Sequence, residues 1–288
     1  MGDLTSGHTA TSPGAGAGPC VSAADGVANV LQAPGSPASG HAAPTPRAAL
    51  TPGVAAGPAA GATAPGRLPG PVLTGADLGD QPALWPAQEI ARLDGRLASF
   101  VTEDVTAPTG ARLRRDWLRH PGAVAVIALD ALDRIAVLAQ YRHPAGARVI
   151  EPPAGLLDLA GESAWIAAQR ELAEEARLRA DDWRVLVDVF TSPGSSQESI
   201  RVFLARELHP VAAPAGFVAE GEEADMAVGW ADLTETVAAI LAGRLQSPTL
   251  VAGVLALWAA RTVGGRGLDA LRPPDAPWPA RQAKLARD

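Results

Sequence analysis

Residues 151–178 hold the densest cluster of acid in a chain that is otherwise rich in Ala, Gly and Pro. Glu171, Glu174 and Glu175 stand at i, i+3 and i+4, so on an α-helix their carboxylates share one face. Such stacked like charges destabilise an isolated helix by roughly a few tenths of a kcal/mol per pair. Arg170 is placed to compensate them, but a hard divalent cation such as Mg²⁺ would do so better, since it prefers carboxylate oxygens and substrate phosphates. The ordinary alternative is a solvated helix face.

The residues before this predicted helix favour a rigid site over a solvated face. Pro152, Pro153 and Gly155 predict a bend. Gly161 then predicts a second turn, and Ser163 is a suitable N-cap for the helix. A constrained loop followed directly by an acidic helix is an arrangement that can hold a metal ion on a rigid element.

The spacing of these residues resembles the Nudix box, the signature of the Nudix hydrolases. The resemblance rests on Gly155, on Glu162, and on the run Arg170-Glu171-Leu172-x-Glu174-Glu175, with the seven-residue gap between Glu162 and Arg170 kept. Six residues separate Gly155 from Glu162, which is one more than in the signature. This extra residue precedes the acids and leaves every charged position of the motif in place.

The second departure is Arg177, which stands where the family has a glycine. That glycine usually ends the helix in the left-handed conformation. Because arginine tolerates positive φ poorly, we expect the helix to continue past this point or to end differently.

The resemblance implies a role for each matching position. Glu171 and Glu175 would be the principal metal ligands, with Mg²⁺ or Mn²⁺ as the metal, and Glu174 a second-site ligand or an orienting neighbour. The backbone carbonyl of Ala154 would complete the metal site beside Gly155. Glu162 and Arg170 would form an ion pair that pins the loop to the helix. The structural residues of the motif are thus Gly155, Glu162 and Arg170.

Two further segments resemble the ADP-ribose pyrophosphatase branch of the family. One is Gln140-Tyr141-Arg142-His143-Pro144, and the other is Ser192-Pro193-Gly194 followed by Glu198. Arg142 is a candidate for binding phosphate or ribose, because a guanidinium offers paired donors to such oxygens; a surface arginine at a strand end is an equal alternative. Glu198 is a candidate for the ribose or for the water network at the metal.

A second acid cluster follows the predicted strands, at residues 220–225. In similar enzymes a mobile loop at this point supplies the carboxylate that acts on water. Glu222 and Glu223 are the candidates, and we favour Glu223. The alternative is that these acids only solubilise a loop.

Composition excludes several classes of protein. The net charge of −7 and the pI near 5.3 argue against a protein that coats nucleic acid. A single cysteine excludes an internal disulfide and a CxxC zinc site, and the five histidines do not stand at ligand spacing. The sequence shows neither an apolar run long enough for a bilayer nor a secretory signal. We therefore expect a cytoplasmic protein without a nucleic-acid or membrane partner.

The chain divides into three parts by composition. Residues 1–82 are mostly Ala, Gly, Pro, Ser and Thr and predict a disordered tail. Residues 83–263 carry the predicted strands and helices, and residues 264–288 read as a loose C-terminal tail. Two apolar runs flanking residues 130–133 predict a β-hairpin whose strands are buried on both faces. The whole predicts an α+β fold, and the resemblance implies a Nudix-type α/β/α sandwich with a mixed sheet.

Three functions are compatible with these observations. The first is hydrolysis of ADP-ribose or a related ADP-sugar to AMP and a sugar phosphate. The second is hydrolysis of another nucleoside diphosphate-X or of a nucleoside triphosphate. The third is a binding module that senses ADP-ribose without cleaving it, which the retention of every box acid disfavours. The branch also implies a homodimer, in which residues 85–117 would cross between subunits.

Overall fold

The computed structural model describes residues 71–75, 77–212, 226–262 and 267–285. The first seventy residues of the predicted N-terminal tail lie outside this part of the chain. In it, the strands are β1 (Ala87–Asp94), β2 (Ser99–Thr106), β3 (Arg112–Arg119), β4 (Ala123–Ala128), β5 (Arg134–Arg142), β6 (Ala147–Glu151), β7 (Ala154–Leu156), β8 (Leu178–Phe190), β9 (Ser199–Pro210) and β10 (Ala227–Asp232). The helices are α1 (Ala164–Ala176), α2 (Leu233–Leu241), α3 (Pro248–Thr262) and α4 (Pro279–Leu285).

These strands form three separate sheets. The central sheet has the order β7-β4-β9-β8, and it is mixed because β4 runs parallel to β9 while its other pairs are antiparallel. A second sheet has the order β10-β5-β6, and a third the order β1-β2-β3. The third sheet is formed by residues 87–119, ahead of the motif described above.

Strand β4 organises the core because all six of its residues are buried. Val124, Val126 and Ala128 belong to the cluster that packs against α1. Ala123, Ala125 and Ile127 belong to the cluster that packs against α2 and α3 on the opposite face. This alternation follows from the two-residue period of a strand. The predicted α+β fold, with helices on both faces of a mixed sheet, is confirmed.

Helix α3 lies close to the central sheet because it carries a glycine at the contact. A Cβ added to Gly253 would lie 2.7 Å from the side chain of Ile127 and 2.9 Å from that of Val202. Leu250, Val254 and Leu257 complete the buried face of the helix. No helix in the described ranges is long and apolar enough to cross a membrane.

The prediction of a hairpin around residues 130–133 is wrong. β4 and β5 form no ladder: apart from the isolated bridge between Leu129 and Ile135 and the hydrogen bond from the Asp130 N–H to the Arg134 carbonyl, they do not pair, and they enter different sheets. Asp130 closes the turn, since its carboxylate accepts hydrogen bonds from the backbone N–H groups of Leu132 and Arg134 at 2.9 and 2.8 Å. Asp133 turns the chain at a φ of 58°. Continuous burial was correctly predicted for β4, but β5 is exposed at both ends.

The expected change at the end of the acidic helix is also absent. α1 ends at Ala176, and Arg177 adopts the left-handed conformation with φ 56° and ψ 40°, as a glycine would. Its backbone N–H donates to the carbonyl of Leu172, and its guanidinium reaches the carbonyl of Ala173 at 3.4 Å. These two hydrogen bonds help to offset the cost of positive φ, and β8 begins at once with Leu178.

The C-terminal segment is not loose where the structure describes it. Arg201 on β9 has a side chain only 3% exposed, and it donates to the carbonyls of Ala276 and Pro277 at 2.6 and 3.0 Å. The same guanidinium lies 4.8 Å from the ring centre of Trp278, which is itself buried. Residues 271–279 therefore pack onto the central sheet, because Arg201 and the apolar core hold them there.

Candidate active site

Helix α1 begins as the sequence predicted. The side chain of Ser163 accepts a hydrogen bond from the backbone N–H of Ile166 at 3.3 Å, and Gly161 makes the preceding turn at a φ of 80°. Ala167, Ala168 and Leu172 are fully buried against the central sheet. The apolar face of the helix thus fixes the direction in which its acidic face points.

Glu171 lies directly over the backbone of Gly155. Gly155 is in β7 and pairs with Val124 of the central strand β4. A Cβ added to Gly155 would lie 1.9 Å from Oε1 of Glu171, a distance at which the two groups could not coexist. Only a glycine therefore leaves room for this carboxylate, which is 9% exposed.

Glu175 contacts the neighbouring residue of the same loop. Its Oε2 accepts a hydrogen bond from the backbone N–H of Ala154 at 2.8 Å. Ala154 pairs with Ala125 of β4, so the backbone that meets Glu175 is tied to the core of the sheet. One turn of the helix thus places two carboxylates against consecutive residues of β7.

Arg170 joins the loop to the acidic face. It makes a bidentate ion pair with Glu162, with Nε–Oε1 and Nη2–Oε2 distances of 3.0 and 3.1 Å. Its Nη1 also donates to Oε1 of Glu171 at 2.6 Å and to Oε2 of Glu174 at 3.1 Å. Hydrogen bonding to Glu162 raises the pKa of Arg170 well above its usual value, and the charge of Glu171 adds to this although burial acts against it. The arginine therefore stays charged and neutralises part of the acidic cluster.

The acidic cluster suits a hard divalent cation by its chemistry. Its donors are carboxylate oxygens, which Mg²⁺ and Mn²⁺ prefer. Across the described ranges, no three Asp, Glu, His or Cys side chains are already arranged as a metal site. Glu171 is hydrogen-bonded to Arg170, and Glu175 to the Ala154 N–H. Both carboxylates would have to turn to coordinate a metal. Gly155 leaves space for the Glu171 carboxylate, so the loop and the helix fit each other closely. The carboxylate donors and this close fit are both compatible with a bound divalent cation.

Arg142 lies at the end of β5, in a different sheet from Gly155. Its Nε and Nη2 donate to the two carboxylate oxygens of Glu151 at 3.1 and 2.6 Å. Glu151 was not among the sequence candidates, although its place immediately before the Pro152-Pro153 bend, at the start of the motif, was a usable signal.

Glu198 lies in the loop between β8 and β9. It accepts a hydrogen bond from the hydroxyl of Thr191, and its Oε1 is 3.5 Å from Nδ1 of His120. Nδ1 of His120 also accepts a hydrogen bond from the backbone N–H of Gly122 at 3.1 Å. His120 was not among the candidates identified from the sequence. Glu222 and Glu223 lie outside the described residues.

Comparison with known proteins agrees with this architecture. A family model described as the NUDIX domain matches residues 119–250. The chain is 42% identical, over 192 residues, to a Mycobacterium tuberculosis protein named ADP-ribose pyrophosphatase, covering 67% of this chain and 89% of that protein. It is 39% identical to a Bacillus subtilis protein of the same name, covering 40% of this chain and 61% of that one.

Two more distant matches complete the comparison. A Streptomyces rubellomurinus protein named CMP-5'-(N-acetyl-N-hydroxy-3-aminopropyl)phosphonate hydrolase is 26% identical over 57% of this chain and 77% of its own length. A crystal structure described as an ADP compounds hydrolase superposes with a TM-score of 0.50 at 20% identity, covering 62% of this chain and 95% of that one, and supports the fold alone. For the present chain, the box residues, the sandwich fold and the relatives together establish that it belongs to the Nudix family, in the ADP-ribose pyrophosphatase-like branch.

Proposed function

We propose that this protein is a metal-dependent hydrolase that cleaves the diphosphate of ADP-ribose, or of a related ADP-sugar, to AMP and a sugar phosphate. The observation that carries the proposal is the placement of Glu171 and Glu175 against consecutive residues of β7, with Arg170 beside them. The 42% identical relative bears the name of this activity and is covered over most of its length.

The proposed metal ligands are the carboxylates of Glu171 and Glu175 and the backbone carbonyl of Ala154. Glu174, which shares Arg170 with Glu171, is a second-site ligand or an orienting neighbour. When bound, Mg²⁺ or Mn²⁺ neutralises charge on the diphosphate oxygens and lowers the pKa of a coordinated water.

The protein's own residues position the substrate and the attacking water. Arg142 supplies guanidinium donors to phosphate or ribose oxygens, and Glu151 fixes its orientation through two hydrogen bonds. Glu198 serves the ribose or the water network, held by Thr191. Glu223, or its neighbour Glu222, accepts the proton of the attacking water. Water then attacks one phosphorus, the bond from that phosphorus to the bridging oxygen breaks, and the two phosphate monoesters leave.

We further propose that the protein is a cytoplasmic homodimer, in which residues 83–263 form the catalytic domain and the C-terminal segment packs onto it. Every residue of β1 is exposed, including Ile90 and Leu93, and Phe100 of β2 is half exposed. An exposed strand edge with apolar side chains favours association with another chain. Light scattering after size exclusion tests this: Leu93→Lys should halve the mass of the wild-type particle, and a wild-type monomer would contradict the dimer.

Product analysis tests the proposed reaction. The protein is incubated with Mg²⁺ and, in parallel, with ADP-ribose, other nucleotide sugars and nucleoside triphosphates, and the products are identified by mass spectrometry. AMP and ribose 5-phosphate from ADP-ribose are the expected products. Cleavage of another nucleotide in preference to ADP-ribose would favour the second function, which the CMP-phosphonate hydrolase among the relatives supports. Binding of ADP-ribose without turnover of any of these compounds would contradict an enzyme.

A further inference from the structure

A cavity of about 320 Å³ has no residue of α1 in its lining. It is bounded by the β1–β2 turn, by the junction between β3 and β4, and by α4. Its walls include the basic residues Arg96, Arg119, His120 and Arg281, and no Asp or Glu is among the residues that line it. We call it the Arg281 pocket. An excess of positive charge in one cavity stands out in a chain whose net charge is −7.

Arg281 is half-buried at the wall of this pocket. Its Nη1 donates to the backbone carbonyl of Pro121 at 2.8 Å, and its guanidinium carbon lies 5.9 Å from the ring centre of Trp278. Burial lowers the pKa of Arg281 below its usual value. A carbonyl and an aromatic ring stabilise a guanidinium less than a carboxylate does, so an anion in the pocket would offset the cost of burying this charge.

The neighbouring basic groups are held in place by contacts outside the cavity. Arg119 is 3.4 Å from a carboxylate oxygen of Glu89 and lies over the ring of Trp117 at 5.3 Å. His120 is fixed by the Gly122 N–H, and its Nδ1 lies 3.5 Å from Oε1 of Glu198. Because these contacts orient both side chains before any ligand arrives, the pocket is preorganised on this side.

Gly122 provides the space that Arg281 uses. It has a φ of 88°, and a Cβ there would lie 3.1 Å from Nη1 of Arg281 and 3.0 Å from the carbonyl oxygen of Ser199. The β3–β4 junction and the C-terminal helix are thus fitted to each other around this guanidinium. Trp278, buried on the central sheet, anchors the start of that helix.

We propose that the Arg281 pocket is a second anion site that binds the phosphate group of a phosphate monoester or of inorganic phosphate. Guanidinium groups match the oxygens of phosphate with paired donors. The volume suits a phosphate with a small attached group, since it lies at the lower end of the range for small-molecule sites. The box acids do not line the pocket, so occupancy requires neither the divalent metal nor turnover.

Calorimetric titration with inorganic phosphate, in the presence of EDTA, tests the proposal on the full-length protein. Wild type should bind phosphate, and both Arg281→Gln and Arg96→Gln should weaken binding by roughly tenfold, because each removes a charge-assisted hydrogen bond. Arg261→Gln is the matched control: it removes an arginine paired with Asp133 at 2.7 Å, outside this pocket, and should bind like wild type. Arg96 is exposed, so its substitution tests the pocket even if Arg281→Gln perturbs folding.

Parallel titrations with AMP distinguish the two sources of the phosphate group. AMP and inorganic phosphate should compete for one site and should be weakened alike by the two variants, and Glu175→Gln should leave both affinities unchanged. The proposal is contradicted if wild type binds no inorganic phosphate, if Arg281→Gln and Arg96→Gln bind it as tightly as Arg261→Gln, or if Glu175→Gln abolishes binding. The results with inorganic phosphate do not depend on whether ADP-ribose is the substrate.

Discussion

Gly155 and Glu171 are matched to each other at the scale of single atoms. The carboxylate of Glu171 occupies the space that any side chain at residue 155 would take, and Arg170 holds it there at 2.6 Å. The glycine of the motif is thus required by close approach, since its φ is not among the positive values. Replacing it would move the carboxylate while leaving the ladder between β7 and β4 in place.

We therefore predict that Gly155→Ala lowers kcat by about a hundredfold with little loss of stability, because displacing a catalytic group by about 1 Å has this effect. Gly229→Ala is the control, since a Cβ at Gly229 meets no atom within 4 Å. Steady-state kinetics and thermal unfolding of both variants provide the measurement. Unchanged kcat in Gly155→Ala would show that the position of Glu171 does not matter.

The ion pair between Glu162 and Arg170 could be predicted from the sequence because the motif is local. Glu162, Arg170 and the acids of α1 lie within one loop and one helix, so their spacing along the chain determines which side chains meet. Glu151 and His120 were missed as functional candidates because their partners, Arg142 and Gly122, depend on strand pairing and on a turn. Spacing along a helix carries no information about such contacts.

Helix α1 ends at a residue whose backbone conformation its side chain disfavours. Arg177 adopts a φ of 56°, a conformation that costs a non-glycine residue about 1–2 kcal/mol. The preference of arginine against positive φ reflects that cost alone. In the fold, β8 begins at Leu178 and pairs with Pro210, and this pairing fixes the direction of the chain at residue 177.

The substitution Arg177→Gly should accordingly stabilise the protein by about 0.5 kcal/mol. It relieves the strain of positive φ but adds flexibility to the unfolded chain and loses the 3.4 Å contact with Ala173. Arg179→Gly is the matched control, because Arg179 lies in extended backbone on β8, where glycine should destabilise by about 0.5–1 kcal/mol. Urea unfolding of both variants measures the difference. Destabilisation by Arg177→Gly would mean that the side-chain contacts outweigh the strain.

The predicted hairpin shows that a turn can be predicted from the sequence when the pairing of its flanking strands cannot. The turn chemistry at Asp130 was read correctly, and the carboxylate does close a turn. Two apolar runs joined by a turn were then assigned to one sheet, although each has a longer partner elsewhere: β4 pairs with β9 and β5 with β10. Strand pairing depends on how all the elements pack in the core, so the local pattern of apolar residues does not determine it.

At the scale of the whole molecule, the C-terminal segment is part of the domain. Arg201 links Asp188 of the neighbouring strand to the carbonyls of Ala276 and Pro277, and Trp278 covers the guanidinium. The composition of this segment, rich in Pro and charge, predicted a loose end. The buried side chains of Trp278 and Arg201 are enough to hold this segment on the domain.

Trp278→Ala should therefore reduce the free energy of unfolding by about 3 kcal/mol, since it opens a cavity in the core and removes the cation–π contact at 4.8 Å. Trp258→Ala is the control: Trp258 is 36% exposed on α3, and its loss should cost about 1–2 kcal/mol. Chemical unfolding monitored by circular dichroism measures both. Equal losses in the two variants would contradict a packed C-terminal segment.

The most direct test of the central claim is the effect of Glu175→Gln on metal binding and on turnover of ADP-ribose. Glutamine keeps the shape of the side chain but removes the charge of the proposed metal ligand. We predict a loss of turnover on the order of 10³-fold and a weaker affinity for Mn²⁺, measured from the paramagnetic signal of the unbound ion. Thermal unfolding should be unchanged, and Glu207→Gln, at an exposed position of β9, should match wild type in every measurement. Wild-type Mn²⁺ affinity and turnover in Glu175→Gln would contradict the proposed site.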